Sequence, residues 1–286
     1  MRWRDYRTSD NIEDRRGMSV GGRGVAIGGG GLLLLVVFSL LTGQDPGVLL
    51  EMLQPSDTAT VDQSAEPGRI GAPTDDLGRF ASVVLASTED VWREVLPQQG
   101  VEYEPPRLVL FSDAVASACG MASSAVGPFY CPPDRRVYLD LSFFDELDRR
   151  FGAPGDFAQA YVIAHEIGHH VQNLLGISDK VRRAQRSDRE TANALSVRLE
   201  LQADCLAGVW GRHANQRANL LEPGDVDEGL RAAAAIGDDR LQRKAAGTVQ
   251  PESWTHGSSA MRSRWLRRGL ESGDPAACDT FAAREL

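Results

Sequence analysis

Gln159 to Leu175 reads QAYVIAHEIGHHVQNLL, and the rest of the chain is interpretable from this stretch outward. It contains His165-Glu166-Ile167-Gly168-His169, an HExxH sequence. On a helix the two histidines, four residues apart, fall on one face a single turn apart, so both imidazoles reach the same metal ion. Glu166 follows the first of them and projects beside that ion, where a carboxylate takes the proton from a water in metal-assisted hydrolysis. Tyr161, Val162, Ile163, Ala164 and Ile167 are apolar and no proline interrupts, so the segment predicts a buried helix. Gly176 is the expected C-cap, and His170, well off the His165/His169 face, is assigned to packing or to support of the ligands.

Two histidines leave a catalytic zinc short of a ligand, because such sites use three protein ligands and keep one position open. The segment VRLELQADCLAGVW, within a long helix expected from about Thr191 to Arg217, carries Glu200 and Asp204. Spaced four apart, they share a face with Val197 and Ala207, and unpaired carboxylates on an otherwise apolar surface are costly. Glu200 is therefore assigned as third ligand and Asp204 as acceptor from a ligating imidazole N–H, with the reverse assignment and a solvated face as alternatives. His213, the rival third ligand, lies further along among polar residues. His256, in Trp254-Thr255-His256-Gly257 ahead of a helix expected at Ser258 to Leu270, is placed to steady an oxyanion with help from Arg262, or merely to cap or pack.

The 286 residues, 42% hydrophobic and 25% charged, suit one sizeable domain with appendages. A net charge of −9 excludes nucleic acid as the expected partner. At the N-terminus, residues 1–24 are polar and carry six arginines, and 25–43 (VAIGGGGLLLLVVFSLLTG) carry no charge. That asymmetry predicts a cytoplasmic tail over 1–24, a transmembrane helix over 25–43 and an extracytoplasmic domain, with a cleaved signal peptide as the competitor. Residues 44–75, rich in Pro, Asp, Ser, Thr and Gly, read as a flexible linker to a domain spanning 76–286.

Within that domain, Asp76 to about Pro97 has helical periodicity, while Arg107 to Phe111 and Val137 to Leu141 read as strands separated by a Gly/Ser/Ala-rich loop. Phe143 to Phe151 reads as a helix, Ser178 to Glu190 as a charged loop, and Asp225 to Arg243 as a helix broken at Gly237. The cysteines Cys119, Cys131, Cys205 and Cys278 form no CxxC motif. In an exported domain they predict two disulfides; of the three pairings open to four cysteines the favoured one joins Cys119 with Cys131, which flank one short loop, and leaves Cys205 with Cys278.

On the segments MRWRDYRTSDNIEDRR (1–16), GPFYCPP (127–133), VYLDLSFF (137–144), YVIAHEIGHHVQ (161–172), LQADCLAGVWG (201–211), AIGDDRLQ (235–242), THG (255–257) and SGDPAAC (272–278), the chain resembles the bacterial neutral zinc metallopeptidase family. A looser similarity is to the gluzincins, which pair HExxH with a downstream E-x-x-x-D helix and a later Thr-His element. These match Glu200, Asp204 and Thr255-His256. The resemblance implies an α+β, mainly helical fold, a zincin-like metallopeptidase domain with a small sheet, preceded by one transmembrane helix. It implies Zn²⁺ on His165, His169 and Glu200, Glu166 and His256 as catalytic residues, and Asp204 in support. The expected function is a zinc metalloendopeptidase held at the outer face of the cell membrane and acting on a peptide or protein. The alternatives are a membrane-tethered assembly factor with a structural zinc site, and zinc hydrolysis of a non-peptide bond.

Overall fold

The computed structural model describes residues 1–18 and 68–286. The chain opens in an arm that ends in strand β1 (Ile12–Asp14) and resumes at β2 (Arg69–Ile70). Helix α1 (Asp76–Val95) follows, then strands β3 (Arg107–Phe111), β4 (Ala114–Ser117), β5 (Gly120–Ser123), β6 (Phe129–Cys131) and β7 (Arg136–Asp140). The remainder is helical: α2 (Phe143–Arg149), α3 (Asp156–Leu174), α4 (Ile177–Ser187), α5 (Ala192–Ala218), α6 (Asp225–Ala235), α7 (Asp238–Ala246) and α8 (Ser259–Ser272). The order of strands in the main sheet is β2-β1-β3-β7-β6, and β4 and β5 form a separate hairpin. The mainly helical α+β domain with a small sheet is therefore as expected.

Local chemistry sets the element ends. Asp75 caps α1, its side chain accepting from the Gly78 N–H at 2.9 Å, and Pro97 follows the last turn. Ser258 caps α8 in the same way through the Met261 N–H. Gly176, at φ 70°, takes the left-handed conformation just past α3. Where a charged loop was expected, Ser178–Ser187 lies in α4, whose buried residues are only Ser178 and Val181. The helix is amphipathic, with Ile177, Val181 and Ala184 on one face, but its many charged residues give it the composition of a loop.

The preceding transmembrane helix has to be withdrawn. Among the described residues no helix is long and apolar enough to cross a membrane, and the span expected at 25–43 lies outside them. Residues 12–14 also fold with the later part of the chain rather than apart from it. Strand β1, before that run, pairs antiparallel with β2, after it, in the register Glu13 with Ile70 and Asp14 with Arg69. It also pairs parallel with β3, Ile12 opposite Leu108. Residues 1–18 therefore belong to the same compact unit as residues 68–286. The arm is anchored along its length: Trp3 meets Phe80 edge to face, and the Ser9 hydroxyl and the Asn11 amide both donate to buried Glu89. Arg69 and Ile70, expected in a linker, are part of the sheet.

Two disulfides cross-link the domain. Cys119 joins Cys131, tying the β4–β5 hairpin to the edge strand β6, and Cys205 joins Cys278, tying α5 to the C-terminal segment. The core that holds the site is the stack of α3, α5 and α8, and its helices approach closely because small residues meet at the crossings. A Cβ on Gly168 would lie 2.9 Å from the Ala203 carbonyl oxygen, and one on Gly269 would lie 1.9 Å from that of Cys205. Gly168 sits between the HExxH residues and Ala203 between Glu200 and Asp204, so this contact sets the two ligand-bearing faces opposite each other.

Candidate metal centre and cleft

His165 and His169 project from α3 toward Glu200 on α5. Ligand atoms of these three residues all lie within 4.8 Å of one another. The Nε2 atoms of His165 and His169 are 3.2 Å and 3.4 Å from the two oxygens of the Glu200 carboxylate. Both imidazoles are held from behind. Nδ1 of His165 lies 2.8 Å from Asp204 Oδ1, and Nδ1 of His169 lies 2.9 Å from Gln172 Oε1. Those carboxylate and amide oxygens accept the Nδ1–H protons, which leaves both Nε2 atoms facing the same point.

Asp204 itself is fully buried and accepts four hydrogen bonds. Besides His165, the Tyr161 hydroxyl donates at 2.5 Å, and Arg262 donates at 2.9 Å through both Nε and Nη2. Arg262 also donates to Tyr161, and its guanidinium is 3% exposed. Its expected role at an oxyanion is therefore replaced by a structural one: it neutralises Asp204 from the α8 side. Sequence reasoning missed this bridge because Arg262 lies 58 residues from Asp204 and only the Gly269 crossing brings α8 within reach. Gln172 was missed as well; its amide donates to the Leu199 carbonyl and to Gln202, which fixes its oxygen toward His169.

The protonation balance follows from burial and these neighbours. Burial alone would lower the His165 pKa, but the Asp204 and Glu200 carboxylates outweigh it and raise it to about 10. His169 moves the same way, burial opposed and overcome by Glu200. Burial would raise Glu200, yet the charge of His169 and the hydrogen bonds of both imidazoles hold it well below the usual carboxylate range. In the metal-free protein, protons thus occupy the positions a cation would take. Glu166 differs: it is buried at the cleft floor, and desolvation raises its pKa.

A cleft of about 990 Å³ runs over this centre. His165, Glu166, His169 and Glu200 line it, and so does His256, whose side chain is 49% exposed. His256 is held by a residue the sequence did not single out. Asp238 Oδ2 accepts the backbone N–H groups of Thr255, His256 and Gly257 at 2.7 to 3.0 Å, while Oδ1 lies 3.4 Å from His256 Nδ1. That pairing raises the His256 pKa. The GDD sequence at 237–239 was its only signal. The edge strand β6 contributes Phe129 and Tyr130 to the opposite wall.

The remaining histidines are accounted for. His170 is fully buried, bonded to the Tyr130 hydroxyl and the Glu104 carbonyl, and burial drives its pKa down to about 4. His213, the rival ligand, bonds the Gly273 carbonyl at 2.8 Å and belongs to no metal-capable group among the described residues. A second acidic group, Asp156, Asp225 and Glu228, is met by the Met1 ammonium, 2.7 Å from Asp156.

Two helix-borne nitrogen ligands, one carboxylate oxygen from a second helix, and acceptors that fix both imidazole tautomers make up a donor set that fits Zn²⁺, with Glu166 beside it. This is the ligand arrangement of HExxH zinc hydrolases. The chain belongs to the family described as "Putative neutral zinc metallopeptidase", which matches residues 1–281. It is 50% identical over 288 residues to "Uncharacterized protein YpfJ" of Escherichia coli K12, covering 98% of this chain and 99% of that protein. It is 46% identical over 268 residues to "Uncharacterized protein Mb2605" of Mycobacterium bovis and to "Uncharacterized protein Rv2575" of Mycobacterium tuberculosis, covering 87% of this chain and 86% of each. No solved structure matches the chain.

Proposed function

We propose that the chain is a zinc-dependent endopeptidase, with His165, His169 and Glu200 as metal ligands and Glu166 as general acid–base. The observation that carries this reading is the buried Glu166 carboxylate lining the same cleft as the three convergent ligand residues. A purely structural zinc site uses four protein ligands and has no need of a base, so it leaves Glu166 unexplained. When bound, the ion supplies Lewis acidity to the attacking water and the scissile carbonyl.

The chain's own groups then have distinct tasks. Glu166, with its pKa raised by burial, accepts the proton of the attacking water and returns it to the leaving amine. His256, oriented through Nδ1 by Asp238 and Thr255, offers its Nε2–H to the oxyanion. Asp204 keeps the His165 tautomer fixed while Arg262 balances its charge. The edge strand β6 supports an extended peptide as substrate, because its outer backbone groups are not used by the main sheet and its side chains line the cleft. The two disulfides support action in an oxidising compartment.

The test is a diverse peptide library incubated with the full chain, with and without a chelator. Cleavage that stops on chelation is expected, and Glu166→Gln should keep one zinc per chain while losing about a hundredfold or more in rate. Chelator-resistant cleavage, or undiminished cleavage by Glu166→Gln, overturns the assignment.

A further inference from the structure

The chain carries nine more negative than positive charges, yet one end of its cleft is basic. Where α2 and α7 wall the cleft, a side cavity of about 300 Å³ is lined by Arg150, Arg240, Arg243 and Lys244 over an apolar floor of Phe151 and Leu241. Arg150, Phe151, Leu241 and Lys244 also line the main cleft, so the two spaces are continuous. The cations converge from two elements. Arg240, Arg243 and Lys244 follow helical i, i+3, i+4 spacing along α7, and the Lys244 ammonium donates to the Arg150 carbonyl at 2.6 Å.

The neighbouring carboxylates do not cancel this charge. Glu146 pairs with Arg150 at 3.1 Å, which accounts for one cation. Asp238 and Asp239, on α7 itself, are turned to the backbone N–H groups of residues 255–257 and of Ser259. Among the described residues neither Arg240 nor Arg243 lies within 4.0 Å of a carboxylate oxygen. Helix-dipole complementarity explains Arg243 and Lys244, which stand in the last turn of α7. It also suits Arg150 at the C-terminus of α2, but it does not explain Arg240, a cation in the first turn of α7 where the dipole disfavours one.

We propose that this end of the cleft is an anion subsite that takes the carboxylate side chains of an acidic peptide segment, the apolar floor accepting their methylenes. The proposal rests on the peptidase reading for the peptide as occupant, and it makes acidic segments the preferred substrate class. An anionic bilayer is the competing occupant; continuity with the recessed metal cleft favours a peptide, since a flat headgroup layer does not follow a chain into it.

Binding is measured on the full chain carrying Glu166→Gln, so that no cleavage intervenes, by fluorescence anisotropy of three labelled peptides of equal length rich in Glu, Gln or Lys. The Glu peptide should bind about tenfold tighter than the Gln peptide at low salt, with the advantage falling as salt rises. Arg240→Glu with Arg243→Glu should abolish that advantage, and Arg240→Gln with Arg243→Gln should reduce it should the charge-reversed chain melt early. Equal binding of Glu and Gln peptides, or an advantage that survives both double variants, overturns the subsite. Binding to phosphatidylglycerol vesicles that the double variants abolish, with no peptide preference, overturns the peptide and puts the bilayer in its place. Absence of cleavage by the zinc-loaded wild-type chain sinks the peptidase reading while leaving a measured acidic preference standing, so the two failures are distinguishable.

Discussion

Asp204→Asn removes one charge and exchanges one oxygen for an amide nitrogen at a fully buried position. The native carboxylate accepts from His165, Tyr161 and twice from Arg262. An asparagine offers a single oxygen, so at least one Arg262 donor faces an NH₂ group and a buried guanidinium loses its counter-charge. Breaking one partner of a buried pair costs about 3–5 kcal/mol. At a few degrees per kcal/mol, the melting temperature should fall by about 10 °C, read by circular dichroism on the metal-free chain. Loss of the acceptor behind His165 should separately weaken zinc binding about 10- to 100-fold, read by competition with a chromophoric chelator. The cause is checked by adding Arg262→Met. If the unpaired guanidinium is responsible, the double variant melts above Asp204→Asn, because removing both charges is cheaper than stranding one. An Asp204→Asn chain that melts within about 2 °C of the native one and binds zinc equally would refute the reasoning.

Four further outcomes are expected. Because the His165 pKa is raised to about 10 in the metal-free protein, its Nε2 carries a proton at pH 7.5 that zinc must displace; calorimetry in buffers of different ionisation enthalpy should show at least one proton released per zinc, and affinity should climb as pH rises toward that value. With the same sign, the folded stability that this protonated histidine contributes to the metal-free chain is complete below pH about 6.5 and disappears as pH rises through about 10, which urea titrations across that range will detect. Gly269→Ala places a methyl against the Cys205 carbonyl, where backbone has to move, and should cost about 1–3 kcal/mol or more by chemical denaturation. Replacing Cys205 and Cys278 together by serine opens a loop spanning 73 residues, and the chain-entropy account gives a loss of about 4 kcal/mol, measured under the same conditions.

What could be read in advance divides along physical lines. The metal helix and the Glu200/Asp204 face were visible because both rest on a period of 3.6 residues within one helix. The ordinary helices α1, α5 and α8 carried the same signal to within a few residues. Hydrogen-bonded bridges between distant segments were invisible. Arg262 reaches Asp204, and Asp238 braces His256, only through tertiary contacts that no local pattern encodes. The membrane span failed for a related reason. Its argument used the apolar run and the arginines before it, and neither could show that Ile12–Asp14 joins a sheet with strands far along the chain. Three residues, IED, show too little alternation to announce a strand, and the pairing is stabilised by Leu108 and its neighbours rather than by the arm.

That arm has a consequence for synthesis. Strand β1 is an interior member of the sheet, flanked by β2 and β3, although it is made well before either of them. Its partner Leu108 emerges only after the whole of α1, and until then β1 has only the two-residue strand β2 to pair with. The nascent chain therefore holds β1 in waiting, and the sheet closes late, when β3 forms beside it. Such non-local closure is slow and leaves an unpaired strand edge exposed in the meantime. A chaperone that shelters the emerging N-terminal arm should accordingly raise the yield of folded protein more than one that acts after release.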